Sequence, residues 1–142
     1  MDLRSLFLNG EYQWEAKEPA SEEAIAALVS AFTVELPDEY LSLLRLSDGG
    51  TAIISGYPEY VRVWSASRAV ENNEGYEIER WLPGFAGFGD DGGLEMVGFD
   101  TRFDQPYRVC SIPFAPMRWE CAMGEVSDFS TFIRQLLTIE RG

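Results

Sequence analysis

Five acidic side chains fall within fifteen residues in the second half of the chain: Asp90, Asp91, Glu95, Asp100 and Asp104. Carboxylates at this density could contact a basic protein surface or bind Ca²⁺. A pair of them, Asp90 and Glu95, could also act as general acid and general base in catalysis. Their spacing does not match an EF-hand loop, and no other sequence feature defines a substrate cleft around them. Contact with a basic partner is the favoured function, and a solvated turn and strand without a role is the plainer alternative.

A second group of candidate contact residues flanks a predicted turn. Tyr57 and Tyr60 each join an aromatic ring to a hydroxyl, and tyrosine is favoured at binding hot spots. Glu59 lies between them and is included as a partner-binding residue. Trp119 shares its predicted face with apolar residues, and we expect it in the core.

Several kinds of catalysis are excluded by composition. The chain has no histidine, so imidazole catalysis, His-ligated metal and Ser-His-Asp or Cys-His nucleophile systems are impossible within it. Cys110 and Cys121 are expected to be buried thiols, because the predicted strand register does not set them directly opposite each other. The glycines of residues 84–93 lack the Lys-Ser/Thr of a phosphate loop. We predict no enzymatic activity, no cofactor and no metal.

The charge of the chain restricts its partners. Twenty-four acids against 11 bases give a net charge of −13. Such a surface repels nucleic acid and anionic membranes and attracts basic proteins, although solubility alone is the plainer explanation of the acidity. No apolar run approaches the roughly 18 residues of a membrane helix, and the opening residues do not resemble a signal peptide. We therefore expect a cytoplasmic protein that binds another protein.

Three segments have apolar residues at helical spacing: 21–32, 36–50 and 127–139. Ser21 and Ser127 are suited to cap the first and the last of them. Pro37 fits the first turn of the middle segment, and a glycine, Gly49 or Gly50, fits its end. The polar segment 65–82 is predicted to be partly helical.

Elsewhere the apolar period is two, which is typical of strands. The predicted strands are residues 52–55, 60–64, 85–89, 94–100, 107–113 and 117–123. The DDGG sequence at 90–93 predicts a hairpin. In the last hairpin, Pro113 is predicted to oppose Pro116, which sets Cys110 opposite Trp119. Helices and strands in separate runs predict an α+β fold, with residues 1–142 as a single domain.

Four segments, in this order, carry a resemblance to a known family: LPDEYLSLLRLSDGG, VRVWSASRAVENN, PGFAGFGDDGGLEMVGFDTR and SDFSTFIRQLL. Together they resemble the SUKH superfamily, which includes fungal cell-wall-assembly regulators and many bacterial immunity proteins. The resemblance covers roughly residues 21–139. It implies a twisted, mostly antiparallel sheet with N-terminal helices and a C-terminal helix packed on it.

The resemblance also implies a function. Bacterial members are similar to antidotes that protect a cell from polymorphic toxins, often nucleases, and fungal members act as regulatory scaffolds. No catalytic residue is carried over from the family. With the charge of −13, the expected partner is a basic toxin domain. The alternative is a scaffold that binds an endogenous partner.

Overall fold

In the part of the chain that the computed structural model describes, residues 14–53 and 59–135, seven antiparallel strands form one sheet in chain order. The strands are β1 (Trp14–Ala16), β2 (Gly50–Ile53), β3 (Tyr60–Val63), β4 (Phe85–Asp90), β5 (Glu95–Asp100), β6 (Arg108–Pro113) and β7 (Met123–Val126). The helices are α1 (Glu22–Ala31), α2 (Asp38–Leu46), α3 (Ala66–Gly75), α4 (Ile78–Trp81) and α5 (Phe129–Arg134), with a 3₁₀ turn at Trp119–Cys121. The predicted α+β class and antiparallel sheet are confirmed.

The first two helices begin close to where the sequence predicts. Ser21 precedes α1, and its hydroxyl accepts a 3.1 Å hydrogen bond from a first-turn N–H. Pro37 immediately precedes α2. The predicted stop was wrong, because α2 ends when Ser47 turns to extended backbone and not at a glycine. Gly49 follows at φ +86°, where an added Cβ would come within 2.5 Å of a β3 carbonyl oxygen, so this glycine allows a close strand approach.

The predicted central hairpin is confirmed as β4 and β5. Its strands pair from Phe85 opposite Asp100 to Asp90 opposite Met96, and a bulge lies between Gly87 and Gly89. Such a bulge adds one residue to β4 and increases the local twist of the sheet.

One face of the sheet carries the aromatic core. Phe88 is fully buried, and its ring centroid lies 4.8 Å from that of Phe99 and 5.6 Å from that of Tyr40 in α2. Phe129 and Phe132 of α5 approach Phe88 edge-on at 5.5 and 5.7 Å. These contacts fix α2 and α5 on this face, as the apolar stripes predict.

The opposite face is covered by Trp64, which follows β3, and by Ile78 of α4. A Cβ added to Gly87 would meet the rings and methyls of Trp64 and Ile78 at 3.2 and 3.5 Å. The Asn73 carboxamide of α3 donates to the Gly87 carbonyl at 2.9 Å and accepts from its N–H at 3.0 Å. The sheet is therefore packed on both sides at its centre.

The last two predicted elements need correction. Residues 117–123 do not form a strand: β7 begins at Met123 and pairs it with Ser111, so the predicted register of Cys110 with Trp119 was wrong. The cause is tertiary, because the Trp119 indole donates to the Pro83 carbonyl at 3.1 Å and draws the chain out of the sheet.

The closing helix begins one residue later than its predicted cap. Asp128, and not Ser127, accepts the capping hydrogen bond from the Thr131 N–H at 2.7 Å. Residues 136–139 of the predicted helix lie outside the described residues.

Candidate functional site

The two predicted groups of contact residues meet at one end of the neighbouring strands β3 and β4. β3 and β4 pair there, and a Cβ built on Gly92 would lie 3.1 Å from the Tyr60 ring. We call residues 59–60 and 90–95 the turn surface. It brings together Glu59, Tyr60, Asp90, Asp91 and Glu95. Tyr57, the remaining tyrosine predicted there, lies outside the described residues.

Asp90 holds the turn surface in place from inside. Its side chain is almost fully buried, and both carboxylate oxygens accept hydrogen bonds. Arg62 donates through Nε to Oδ1 at 3.1 Å and through Nη2 to Oδ2 at 3.2 Å. The Trp64 indole donates to Oδ2 at 2.7 Å, and the Gly92 N–H donates to Oδ1 at 2.7 Å. Asp90 is therefore a positioning residue, whose charge is already matched by Arg62.

The turn itself is shaped by its next acid. Asp91 is half-buried, and its Oδ1 accepts from the N–H groups of Gly93 at 2.9 Å and Glu95 at 3.2 Å. Gly92 has a φ of +80°, a conformation that side chains other than glycine's rarely adopt. These contacts fix the direction in which Leu94, the residue after Gly93, projects.

The exposed part of the turn surface is both apolar and acidic. Leu94 is 83% exposed and Tyr60 is 42% exposed, and Glu59 is exposed beside them. Leu94 was not predicted from the sequence as a contact residue, although an apolar residue directly after two glycines of a tight turn indicates an outward-facing side chain. The turn surface thus offers two apolar contacts with carboxylates at hand.

Asp100 and Asp104 do not belong to the turn surface. β5 runs from Glu95 to Asp100, so five steps of about 3.3 Å set these residues roughly 17 Å apart along the strand. Asp104 is exposed in the loop after β5, on the far side of Asp100. The five acids that the sequence places within fifteen residues are therefore divided between the two ends of the sheet.

Asp100 is bound in a local ion pair. Arg102 donates from Nε and Nη2 to the two carboxylate oxygens, each at 2.9 Å, and its guanidinium lies 3.6 Å from the ring centre of Trp119. Burial opposes ionisation of Asp100, but hydrogen bonds and charge from Arg102 outweigh burial and lower the pKa of the carboxyl below its ordinary value. Trp119, predicted in the core, is instead half-buried against this arginine.

A groove of about 770 Å³ adjoins the turn surface. Tyr60 and Tyr76 stand on its walls, and Tyr76 is held by the Phe114 ring at 4.8 Å. Charges of both signs line it: Glu15, Lys17, Glu18, Asp48, Arg62, Arg68 and Asp90. Because the signs are mixed, the groove does not select a strongly charged ligand by its field.

The buried cysteine gives no reactive centre. Cys110 and Cys121 are free thiols, the first buried and the second half-buried. Burial raises the pKa of the Cys110 thiol to about 12, with nearby acids adding to the effect, so at neutral pH it is protonated and a poor nucleophile. Within residues 14–53 and 59–135, no cluster of three or more His, Cys, Asp or Glu side chains is arranged to hold a metal ion.

Across the described helices, none combines the length and the apolar character that crossing a bilayer requires.

The comparison with family models matches residues 19–135 to the SMI1 / KNR4 family (SUKH-1). Comparison with curated proteins finds no match to this sequence. The family match begins just before α1, runs to the end of α5 and covers well over half of the chain. The resemblance found in the sequence is therefore confirmed, and the chain belongs to the SMI1 / KNR4 family (SUKH-1).

Proposed function

We propose that this protein is an immunity protein, a single binding domain that neutralises a polymorphic toxin in the cytoplasm by direct contact. Membership of the SUKH-1 family supports a protein-binding role in toxin immunity or in regulation, and its members are generally not enzymes. A toxin with a basic domain, such as a nuclease, is the partner that a net charge of −13 favours.

The observation that carries this proposal is the exposed turn surface. Leu94 and Tyr60 can bury apolar area against a partner, while Glu59 and Asp91 can meet its basic side chains. Asp90 keeps both segments in register through Arg62 and Trp64, so the surface is preorganised before binding. Preorganisation of this kind raises affinity, because little ordering remains to be done on association.

The proposal is tested by protection from the product of the neighbouring gene, which is taken as the candidate toxin. The toxin is expressed with and without this protein, growth is followed, and binding is titrated at 50 and 500 mM NaCl. Rescue together with binding that weakens at high salt supports the proposal, since screening reduces attraction between opposite surfaces. Toxicity without rescue or binding contradicts it. An endogenous partner recovered by pull-down then supports the regulatory alternative.

Substitutions locate the contact. Tyr60→Ala and Leu94→Ser are each expected to weaken binding by about tenfold or more, as truncation of a central interface residue does. Val29→Ser on α1 is the matched control, because Val29 is 45% exposed, similar to Tyr60, and lies on a helix away from the turn. Equal losses in the control and the turn-surface variants would place the partner elsewhere.

A further inference from the structure

A second groove of about 400 Å³ lies between the end of α1, the junction of α3 with α4, and the start of β4. Its apolar lining residues include Phe32, Val34, Phe85 and Ala86. Phe85 and Ala86 are buried members of the core, so this side of the groove is formed by residues that are already packed. We call it the rim groove, after the carboxylates at its edge.

Among the residues that the structure describes, three glutamates and one arginine stand at the edge of the rim groove. Glu74, Glu77 and Glu79 line it together with Arg80. Within the described residues, the Glu74 side chain has no hydrogen bond or ion pair. The Glu79 side chain accepts a long 3.4 Å hydrogen bond from the Gly84 N–H. The edge therefore carries more negative charge than its own arginine neutralises.

Arg80 forms an ion pair with one of these glutamates and lies over an aromatic ring. Its Nη1 lies 3.3 Å from the Glu77 Oε1, and its guanidinium lies 4.8 Å from the ring centre of Trp81. Both members of the ion pair are more than half exposed, at 65% and 55%, so water screens the pair and holds it weakly. A competing guanidinium can replace Arg80 at little cost.

The walls of the rim groove are held by hydrogen bonds. Asn73 binds both backbone groups of Gly87, which ties α3 to β4. The Thr101 hydroxyl and N–H both donate to the Gly84 carbonyl, at 2.8 and 2.7 Å, which fixes the start of β4. A ligand therefore meets a preformed site.

We infer that the rim groove binds an arginine side chain of a basic protein partner. The side chain lies along the groove, with its aliphatic stem against Phe32 and Val34 and its guanidinium beside the glutamates. Arginine fits better than lysine, because its planar group is less strongly hydrated, pairs with carboxylates in a bidentate manner and stacks on rings such as Phe32. The inference rests on the proposed function only in taking the partner to be basic.

The first test uses a small probe and needs no toxin. The ¹⁵N-labelled protein is titrated with N-acetyl-arginine amide, and with N-acetyl-citrulline amide as its uncharged counterpart. We expect saturable amide shifts at residues 31–34, 73–79 and 84–86 with the arginine probe and none with citrulline. No saturable shift, or shifts spread equally over the acidic first turns of α1 and α2, overturns the inference.

Charge variants give effects of opposite sign. Glu77→Gln is expected to weaken binding of the arginine probe about two- to fivefold, and Arg80→Gln to strengthen it by a similar factor, because each removes one partially exposed charge contact. Glu120→Gln is the matched control, since it makes the same charge change on an exposed side chain outside the rim groove. If Glu77→Gln and Glu120→Gln weaken binding of the arginine probe equally, the effect comes from net charge alone and a specific site is refuted.

The outcome is separable from that of the proposed function. Probe binding without rescue from the toxin supports the rim groove as an arginine site and contradicts the immunity role. Rescue without probe binding at residues 31–34 and 73–79 keeps the immunity role and removes this site.

Discussion

Asp90 offers a sharp test of how the turn surface is held. Replacing it by alanine removes the acceptor of the buried Trp64 indole N–H, which is bound at 2.7 Å and whose side chain is 3% exposed. A buried donor left without an acceptor costs about 1–3 kcal/mol. Arg62 is 55% exposed and can be hydrated after the change, so its ion pair contributes only about 0–1 kcal/mol. The Gly92 N–H lies in an exposed turn and adds about 0.5–1 kcal/mol.

We therefore expect Asp90→Ala to lower the free energy of unfolding by about 3 kcal/mol, with about 2 kcal/mol belonging to the Trp64 donor. Equilibrium unfolding in urea, followed by far-UV circular dichroism, measures the change. Asp104→Ala is the control, because it removes an exposed acid and is expected to change stability by less than about 0.5 kcal/mol.

A double-mutant cycle isolates the buried contact. In a Trp64→Phe background the donor is gone, so Asp90→Ala is expected to cost only about 1 kcal/mol. A cost that is the same in both backgrounds, or a coupling below about 0.5 kcal/mol, would refute the idea that Asp90 acts by satisfying Trp64.

Three further predictions concern the core, pH and thiols. Phe88→Ala is expected to cost about 3–5 kcal/mol in urea unfolding, because it opens a cavity among four neighbouring rings, and a loss under 1 kcal/mol would contradict that packing. The pKa of Asp100 is depressed below its ordinary value of 3.8, so its ion pair stabilises the fold above that pH and is lost as the pH falls through the lower folded value. Acid unfolding of Asp100→Asn should therefore show a shallower pH dependence, and an unchanged slope would count against this account. Iodoacetamide, read by mass spectrometry, should modify half-buried Cys121 before Cys110, which reacts only after unfolding; the reverse order would show that Cys110 is accessible.

Local signals predicted the elements that depend on local physics. The hydroxyl of Ser21 marked the start of α1, and the DDGG sequence marked the β4–β5 turn. The apolar stripe of α5 predicted the side that packs under Phe88. In each case the residues that determine the helix start, the turn or the apolar face lie within a few positions of one another. A short stretch of sequence is therefore enough to predict the feature.

Long-range contacts explain what the sequence did not predict. Asp90 resembles an exposed turn acid, yet Arg62, 28 residues earlier, binds it inside the sheet. Trp119 resembles a strand residue, but it lies outside the sheet, where its indole binds the carbonyl of Pro83, 36 residues earlier. The rim groove has the same origin, because its walls come from α1, α3 and β4 and meet only in the folded chain.

The consecutive strand order governs how the chain gains its shape during synthesis. From β4 to β7, every strand pairs with the strand that follows it, so each pairing closes a short loop and needs no later segment. Helices interrupt two earlier pairings: α1 and α2 separate β1 from β2, and α3 and α4 separate β3 from β4. Contacts that are local in sequence favour rapid folding. For a protein proposed to act as an antidote, consecutive pairing from β4 to β7 favours a short interval between translation and readiness to bind. During that interval a cell that makes both proteins is unprotected.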